Sequence, residues 1–319
     1  MSIQALAKAL EKRRTLREDP NTSVYRIFHG HGEGDPRYDV ECFGSALVLY
    51  AYQDLGEETK AIASFLEEAM KPKAILIKDR WRKDRSDAAT RGWFAYGEAI
   101  DPQIPVVEHG IHYVVEPYRA FNSGLFLDAR PIREKLRQTS ENKSVLNLFS
   151  YTGSLGVAAL AGGAKRVLHV DSQGSLVERI EHNHRSNQLE FDARMVVPSD
   201  VYRFLQRGKG AGRTWSTIIL DPPPNVAPKS KKFRGRSRGQ DFDTLIPLCL
   251  PFLEDEGELI VFLNRRDISS EEHEATLSKA WGETPMEKTW SVVSGDDFPE
   301  DDPEKKLRVS AYRLGTRNP

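Results

Sequence analysis

The spacing of apolar and polar positions changes along the chain and divides it into three parts. Residues 1–20 carry apolar side chains at helical spacing, with Leu6 and Leu10 on one face and basic side chains around it. This pattern predicts an amphipathic helix. Two interpretations are open: the helix packs on its own domain, or it forms an arm that binds RNA. Residues 21–118 and 119–319 form the second and third parts.

The second part, residues 21–118, has short apolar runs separated by turn-forming residues, and helical periodicity occurs only at Glu57–Met70. Runs of this length, rich in β-branched and aromatic residues, predict strands. The runs are Val24–Phe28, Ala46–Tyr52, Ala74–Ile77, Trp93–Tyr96 and Ile111–Val115. A small α+β domain is therefore predicted.

In the third part, apolar strands alternate with longer helical segments. The predicted strands are Ser144–Leu148, Arg166–Val170, Ala193–Val197, Thr217–Leu220, Glu258–Leu263 and Leu307–Leu314. The predicted helices are Leu155–Ala161, Leu176–Asn187, Val201–Gln206, a segment near Thr244–Leu253 and another near Glu271–Lys279. This alternation predicts an α/β fold with a doubly wound, mostly parallel sheet. The acidic segment Asp296–Glu304 is expected to be a solvated excursion before the last strand.

Composition narrows the class of protein further. The 319 residues include 46 basic and 47 acidic side chains, so the net charge is close to zero. A nucleic-acid partner would therefore have to bind to a local basic patch. Cys42 and Cys249 lie far apart, which predicts neither a disulfide framework nor a metal site. No stretch approaches the roughly 20 apolar residues of a membrane span. We expect a cytoplasmic protein without a membrane partner, as a monomer or a homodimer.

The first strand of the third part leads into a turn that differs from the dinucleotide-binding turn. Tyr151 occupies the position of the first glycine, where a bulky side chain would crowd a pyrophosphate. An NAD-dependent oxidoreductase is therefore disfavoured. Gly153 is a point at which a small ligand can approach the backbone, although a purely structural turn explains this glycine equally well.

Carboxylates follow the next two strands. Asp171 ends the second strand, where a carboxylate can accept both hydrogen bonds of a ribose diol. Ser199 and Asp200 follow the third strand, and the Asp200 carboxylate could accept the exocyclic amino group of an adenine. Helix capping is an equally good interpretation of Ser199 and Asp200.

The fourth strand runs into Asp221, three consecutive prolines and Asn225. Proline cannot continue a ladder and fixes φ, so the strand stops in a stiff turn that holds Asp221 over the sheet edge. A simple strand terminator would need only one proline. The sequence Asp221–Asn225 therefore predicts a positioned site rather than a plain turn.

Together, these signals at the ends of four consecutive strands resemble class I S-adenosylmethionine-dependent methyltransferases. More narrowly, Asn147–Gly153 and Phe121–Arg130 resemble the large-subunit (23S) ribosomal RNA methyltransferases of the K/L and I type. The resemblance covers about residues 22–315. It implies a Rossmann-like methyltransferase domain after the small α+β domain, while the PUA domain of the I type is not expected in this sequence.

The resemblance also implies S-adenosylmethionine as the cofactor and gives residues roles by position. The segment from Ser123 to Arg130 would cover the cofactor, with Arg130 near its methionine end, and Asp171 and Asp200 would hold the ribose and the adenine. The other implied cofactor-binding residues are Gly124, Phe126, Leu127, Asn147, Phe149, Ser150, Tyr151, Thr152, Gly153, Ser172, Ser199 and Asp221. Ala129 stands where the family has a glutamine, so that side-chain contact is not carried over.

Methylation at C5 of a pyrimidine needs a cysteine nucleophile at C6. In the relatives that methylate C5 this cysteine follows the fifth strand, where the present chain has Asn264–Arg266, and Cys249 is expected to be a buried, inert thiol. A ring nitrogen carries its own lone pair and needs only positioning. The turn Asn264–Arg266 is similar to that of guanine-N7 relatives. The predicted catalytic residues are Asp221, Pro222, Pro223 and Asn264.

Two basic segments are candidates for RNA contact. The loop after the fourth strand has six cations and no acids, which suits phosphate contacts, while an aromatic ring could stack on a base. Its predicted RNA-binding residues are Lys229, Lys231, Lys232, Phe233, Arg234, Arg236 and Arg238. The second segment, Lys78–Arg91, also contains acids, and a solvated charged surface is the alternative for both.

These features predict an S-adenosylmethionine-dependent methyltransferase that acts on a base of RNA. We expect a ring nitrogen, guanine N7, of 23S ribosomal RNA or of an assembly intermediate. A cytosine-C5 RNA methyltransferase, a methyltransferase acting on a protein or a small molecule, and a noncatalytic RNA-binding protein are the alternatives.

Overall fold

Two β-sheets, of five and seven strands, organise the computed structural model of the chain. The structure describes residues 2–82, 92–97, 101–118, 121–210, 212–223 and 241–316. Two compact units form: Met1–Arg130 with Gly295–Asp301, and Pro131–Ser294 with Asp302–Pro319. The first unit thus continues past the boundary that the hydrophobic pattern placed at residue 118, and it also includes a segment from late in the chain.

The first unit contains the five-stranded sheet, in spatial order β1-β2-β3-β4-β5. Its strands are β1 (Val24–His29), β2 (Tyr38–Phe43), β3 (Ala46–Ala51), β4 (Ala74–Asp79) and β5 (Trp93–Gly97), and a separate hairpin contains β6 (Ile104–Glu108) and β7 (Ile111–Val115). Its helices are α1 (Ser2–Lys12), α2 (Arg14–Glu18) and α3 (Glu58–Met70). Only β3 and β4 are parallel neighbours, so the unit is α+β.

The core of the first unit explains the amphipathic N-terminal helix. Leu6 and Leu10 of α1 join one buried cluster with strand residues such as Ile27 and with Leu66 of α3. Burial of these apolar faces stabilises α1 on its own unit. Of the two interpretations of residues 1–20, the structure shows the packed helix.

The pattern did not predict β2, because charged residues interrupt its apolar run. Asp39 and Glu41 of β2 are nevertheless buried, since Arg26 of β1 forms ion pairs of 2.6 Å with each of them. Buried carboxylates are tolerated where a hydrogen-bonded cation compensates them. The strand therefore depends on a pairing that periodicity alone does not reveal.

The second unit contains the seven-stranded sheet, in spatial order β10-β9-β8-β11-β12-β14-β13. Its strands are β8 (Ser144–Leu148), β9 (Arg166–Asp171), β10 (Val196–Pro198), β11 (Trp215–Leu220), β12 (Leu253–Leu263), β13 (Met286–Val293) and β14 (Arg308–Leu314). The helices of this region are α4 (Arg130–Thr139), α5 (Ser154–Ala161), α6 (Val177–Arg185), α7 (Val201–Gly208), α8 (Phe242–Cys249) and α9 (Ser270–Trp281). The predicted α/β class with a mostly parallel sheet is confirmed.

The departures from the predicted elements in this unit have local causes. Pro251 lies in a 3-10 turn after α8, so the helix ends at Cys249 and β12 begins at Leu253. The edge strand β13 is mostly exposed or half-buried, which leaves little apolar signal in its sequence. Among the described residues, no helix is long and apolar enough to cross a membrane.

The strand order reverses its direction beside β8. From β8 the chain winds outward through β9 to β10, and it then crosses to β11 on the other side of β8 and continues to β12. Leu148 pairs with Val170 of β9 and with Leu220 of β11, so these parallel strands end level with one another. Ligands bind at such a switch point, outside the carboxyl ends of the strands.

The acidic segment was expected to be solvated, and for Asp297 this expectation is wrong. Asp297 is 1% exposed; its Oδ2 accepts a hydrogen bond of 3.0 Å from the Arg26 amide, and its Oδ1 pairs with the Arg130 guanidinium. Arg13 also donates to the Asp297 carbonyl at 3.1 Å. One cation, Arg130, thus compensates the charge of the Asp297 carboxylate, while the Arg26 amide and the Arg13 guanidinium satisfy its remaining side-chain oxygen and its backbone carbonyl.

Two further residues attach the segment Gly295–Asp301 to the first unit. Glu300 Oε1 lies 2.8 Å from His29 Nε2, and the Arg26 guanidinium lies 4.6 Å from the centre of the Phe298 ring. Phe298 itself is buried. Asp297 and Phe298 of this segment therefore belong to the interior of the first unit.

We expect Asp297→Ala to lower the free energy of unfolding by about 3–5 kcal/mol, because it leaves the buried Arg130 without its counter-charge. Urea denaturation monitored by circular dichroism measures the change. The matched control is Asp296→Ala, since Asp296 is exposed, and it should leave the midpoint unchanged. Equal midpoints for the two variants would show that the ion pair contributes nothing to stability.

Candidate functional site

The turn after β8 has an unusual backbone. Phe149 and Tyr151 adopt positive φ angles of 57° and 48°, and Gly153 follows at 77°. Positive φ is uncommon for residues other than glycine, and strained turns of this kind concentrate at functional sites. The turn is closed by a hydrogen bond of 2.8 Å from the Gly153 amide to the Ser150 carbonyl.

Gly153 is required by the packing beneath the turn. A Cβ at this position would lie 3.0 Å from His169 Cε1 and 3.2 Å from Ile180 side-chain carbons, on a backbone that already has a positive φ. Asn183 of α6 donates to the Thr152 carbonyl at 2.9 Å and holds the same turn from below. These contacts account for Gly153 without a ligand, as the structural interpretation of this glycine expects.

Asp171 joins the end of β9 to this turn. Its Oδ2 accepts the Tyr151 amide at 2.9 Å and its Oδ1 accepts the Gln173 amide at 3.0 Å. Each carboxylate oxygen has a second acceptor site, so the half-buried group can still accept hydrogen bonds from a diol. The next residue, Ser172, is exposed.

Ser150 and Thr152 lie inside the turn. Ser150 is 6% exposed, and its Oγ is buried without a hydrogen-bond partner among the described residues. Thr152 is 1% exposed. Buried hydroxyls are normally paired, so the Ser150 Oγ is a place where a ligand group can complete the hydrogen bonding.

Asn147 was predicted to bind the cofactor, but its side chain lies in the interior. Its Nδ2 is 3.3 Å from His169 Nδ1, His169 Nε2 is 3.2 Å from His184 Nε2, and His184 Nδ1 is 2.8 Å from the Glu190 carbonyl. The carbonyl can only accept, so each group in this row donates to the next, beginning at the Asn147 amide. Burial lowers the pKa of His169 to about 3, and it lowers that of His184 as well. Both rings are therefore neutral and support the strand ends from below.

Ser199 and Asp200 border an open depression of about 710 Å³. Asp200 accepts the Arg203 amide at 3.0 Å and caps α7, as one interpretation predicted, yet its side chain remains exposed. Ser199 donates its amide to the Asp171 carbonyl at 2.8 Å. Ser172, the residue after Asp171, lies on the same depression, so residues that follow both β9 and β10 line one open surface.

The ends of β11 and β12 bring three predicted catalytic residues together. The Asn264 Nδ2 lies 3.3 Å from Asp221 Oδ1 and 3.4 Å from the Pro222 carbonyl. Asp221 is half-buried, Pro222 is buried and Pro223 is exposed. Residues 224–240 lie outside the described residues, and these include Pro224, Asn225 and every predicted RNA-binding residue from Lys229 to Arg238.

The remaining predicted cofactor-binding residues belong to the first unit. Ser123 is buried and its Oγ lies 2.7 Å from the Tyr50 hydroxyl. Arg130 pairs with Asp297, while its Nη1 is buried without a partner among the described residues. Gly124 and Leu127 are buried, and Phe126 is 48% exposed.

Sequence reasoning missed the residues that support the site from below. Ile180, Asn183 and His184 are the buried positions of α6, at helical spacing of three and four residues. Two polar residues on the inward face of a helix are a recognisable signal of a buried hydrogen-bond network. His169 gives the same signal at a buried position of β9.

The site combines three features: the acceptor sites of Asp171 for a diol, the Ser150 hydroxyl that has no partner among the described residues, and the helix-capping carboxylate of Asp200 beside an open depression. This combination suits a nucleoside. Comparison with known proteins agrees. The family model of the S-adenosylmethionine-dependent methyltransferases matches residues 26–310. YwbD of Bacillus subtilis (strain 168) is 28% identical over 308 residues, which cover 94% of this chain and 75% of that protein.

Ribosomal RNA large subunit methyltransferase I of Escherichia coli O139:H28 is 29% identical over 265 residues, covering 81% of this chain. The match spans 65% of that protein, slightly less than two thirds of its length. The crystal structure of SMU.776 complexed with SAH superposes with a TM-score of 0.88 at 23% identity, over 98% of this chain and 80% of that chain. At such identity the likeness shows the fold, whereas the family match extends over most of the sequence. The chain therefore belongs to the S-adenosylmethionine-dependent methyltransferases.

Proposed function

We propose that this enzyme methylates a ring nitrogen, guanine N7, in large-subunit ribosomal RNA. The observation that carries the proposal is the pairing of Asn264 with Asp221 at 3.3 Å, at a strand end where no cysteine follows β12. A relative from Escherichia coli that bears the name ribosomal RNA large subunit methyltransferase I supports the RNA substrate.

The residues of the second unit fit the cofactor. The Asp171 carboxylate would hold the ribose diol with the acceptor sites that Tyr151 and Gln173 leave open. The buried, unpaired Oγ of Ser150 would complete its hydrogen bonding with a polar group of the cofactor, and Asp200 would bind the adenine. When bound, S-adenosylmethionine supplies a methyl group on a positively charged sulfur.

We also assign five residues of the first unit to cofactor binding, on the family resemblance. They are Ser123, Gly124, Phe126, Leu127 and Arg130. For Arg130, the buried and unpaired Nη1 supports the assignment, because an ionised donor in the interior needs an acceptor. The neighbouring Asp297 occupies only the other guanidinium nitrogen, Nη2.

A ring nitrogen is favoured over pyrimidine C5 because neither thiol can act as a nucleophile. Cys42 in β2 and Cys249 in α8 are both buried. Burial raises the pKa of Cys42 to about 12 and raises that of Cys249 as well, so both remain protonated thiols. Guanine N7 carries its own lone pair, and the polar atoms of Asp221 and Asn264 need only orient the base.

We expect Asp171→Ala to weaken binding of S-adenosylhomocysteine roughly 30- to 1,000-fold, because it removes charge-assisted hydrogen bonds worth about 2–4 kcal/mol in total. Isothermal titration calorimetry measures the affinity. Asp243→Ala is the matched control, since Asp243 is an exposed carboxylate of α8. An unchanged affinity in a folded Asp171→Ala protein would place the nucleoside elsewhere.

Protein-free 23S ribosomal RNA incubated with the enzyme and labelled S-adenosylmethionine should yield 7-methylguanosine in nuclease digests analysed by mass spectrometry. Because no thiol takes part, the variant with Cys42→Ala and Cys249→Ala should retain turnover, and RNA containing 5-fluorocytosine should form no covalent adduct. Formation of 5-methylcytosine, or a trapped adduct, would contradict the ring-nitrogen assignment. Label that appears only in protein would contradict the RNA substrate.

Four cations of the loop that follows β11 are expected to contact phosphates. Their replacement by glutamine should lower the slope of log affinity against log salt by about 0.7 per lost contact on single strands, and about 0.9 on duplex, while S-adenosylhomocysteine affinity stays constant. The substitutions are Lys231→Gln, Lys232→Gln, Arg234→Gln and Arg236→Gln. The control carries glutamine at four exposed lysines, Lys8, Lys60, Lys71 and Lys279. Equal slopes for both variants would leave the loop without a role in RNA binding.

A further inference from the structure

The five-stranded sheet of the first unit has two unlike faces. The apolar residues of one face join the buried cluster that contains α1 and α3. The other face carries polar and charged side chains, since residues paired across neighbouring strands point to the same side of a sheet. These side chains are Arg26 on β1, Asp39 and Glu41 on β2, Tyr50 on β3 and Lys78 on β4. All except Arg26 are buried, so this polar face requires hydrogen-bonding groups from the segments that cover it.

Tyr50 of this face contacts the start of the cofactor segment, residues 123–130, which contains the five residues assigned to cofactor binding above. The Tyr50 hydroxyl lies 2.7 Å from Ser123 Oγ, and both side chains are buried. The Ser123 carbonyl accepts the Glu116 amide at 2.7 Å. Ser123 is therefore fixed through its side chain and through its backbone.

Two cations hold the chain just before the cofactor segment. Lys78 Nζ donates to the Phe121 carbonyl at 3.4 Å, and the Arg80 guanidinium donates to the same oxygen. Lys78 is fully buried, and desolvation lowers its pKa to about 7. A buried cation costs stability, so an apolar side chain would cover this face more cheaply. A cation that binds a carbonyl instead specifies one backbone geometry, here that of the entry to the cofactor segment.

Asp297 binds the other end of the cofactor segment. Its Oδ1 pairs with Nη2 of Arg130, and its Oδ2 accepts the Arg26 amide of β1 at 3.0 Å. Asp297 and Arg130 are 1% and 5% exposed. The pair leaves Arg130 Nη1 buried without a partner among the described residues. Asp297 thus fixes the orientation of a guanidinium that retains a donor for an incoming acceptor.

The chemistry of the free Arg130 donor indicates which part of the cofactor it would take. An ionised donor in the interior is satisfied best by an ionised acceptor, and a carboxylate accepts from a guanidinium with favourable geometry. S-adenosylmethionine carries one carboxylate, on its methionine end, whereas its adenosine part carries none. A guanidinium oriented by Asp297 would therefore bind the methionine end.

We propose that Tyr50 and Asp297 are positioning residues for cofactor binding, Tyr50 acting through Ser123 and Asp297 acting through Arg130. This inference rests on the proposed function in one respect, because it takes Ser123 and Arg130 to bind S-adenosylmethionine. It is independent of the substrate that is methylated. It gives the polar face of the five-stranded sheet, and a segment from late in the chain, a role in the affinity for the cofactor.

The role of Tyr50 is tested by isothermal titration calorimetry with S-adenosylhomocysteine. Tyr50→Phe should weaken binding roughly 2- to 10-fold, because Ser123 loses one hydrogen bond. Tyr52→Phe is the matched control and should bind as the wild type does, since the Tyr52 hydroxyl donates to Asp39 Oδ2 at 2.7 Å. If Tyr50 acts through Ser123, Tyr50→Phe combined with Ser123→Ala should bind as Ser123→Ala alone does. Losses that add in the double variant would contradict this route.

The role of Asp297 is tested with two ligands. Asp297→Asn should weaken binding of S-adenosylhomocysteine about 10-fold, because Arg130 loses the charge that orients it. The same variant should bind 5′-methylthioadenosine as the wild type does, because this ligand has no carboxylate. Glu300→Gln is the matched control in the same segment: Glu300 contacts His29 at 2.8 Å, and both affinities should stay unchanged. Thermal unfolding followed by circular dichroism identifies any variant that is not folded.

Arg130→Gln and Ser123→Ala separate this inference from the proposed function. If these two variants lose affinity for S-adenosylhomocysteine while Tyr50→Phe and Asp297→Asn bind as the wild type does, the positioning roles are overturned and the cofactor assignment stands. If neither loses affinity, the assignment fails and the positioning roles fail with it. Equal weakening of both ligands by Asp297→Asn would reduce Asp297 to a purely structural residue.

Binding is measured without RNA, so the identity of the methylated substrate is a separate outcome. If the variants lose affinity as expected but the wild type forms no 7-methylguanosine in ribosomal RNA, the positioning roles stand and the proposed substrate fails.

Discussion

The carboxylate of Asp171 accepts the amide of Tyr151, and the geometry of the site depends on this contact between two strand ends. Without this acceptor, the Tyr151 amide would lose its hydrogen bond. The turn could tolerate this loss poorly, because two of its residues already adopt a positive φ in addition to its glycine. Asn183 and the row of neutral polar groups that begins at Asn147 hold the same turn from the interior. The hydrogen bond to Asp171 and those from the interior thus fix the turn before any ligand binds. A turn that is already ordered loses less conformational entropy when a ligand binds.

Much of the fold follows from the hydrophobic pattern, because strands buried on both faces have apolar runs that are easily recognised. The pattern fails where burial depends on distant charges. β2 contains two carboxylates that ion pairs with Arg26 make compatible with the interior, and Asp297 is buried because the Arg130 guanidinium and the Arg26 amide bind its carboxylate. β13 was not predicted for a different reason. An edge strand has too little buried surface for its sequence to show an alternation of apolar and polar residues.

Within the site, the residues at strand ends were predictable, because parallel strands bring their carboxyl ends to one edge whatever the details of packing. The pairing of Asp221 with Asn264 is an example, since each residue follows its own strand. The direction of a side chain was not predictable in the same way. Asn147 lies within a strand motif typical of the family, yet its amide lies under the sheet edge beside His169, because the pleat alternates the faces of successive residues.

The ion pair of Arg130 with Asp297 can form only late in the synthesis of the protein. Most of the first unit leaves the ribosome early, but Gly295–Asp301 emerges only after nearly all of the second unit has been translated. Until then the guanidinium of Arg130 has no Asp297 to pair with, and the contact that joins them spans much of the chain. The first unit is therefore begun first but completed only when residues 295–301 have been made. A chain that is truncated before residue 297 carries a first unit without the counter-charge of Arg130, and incompletely stabilised chains of this kind are removed by chaperones and proteases.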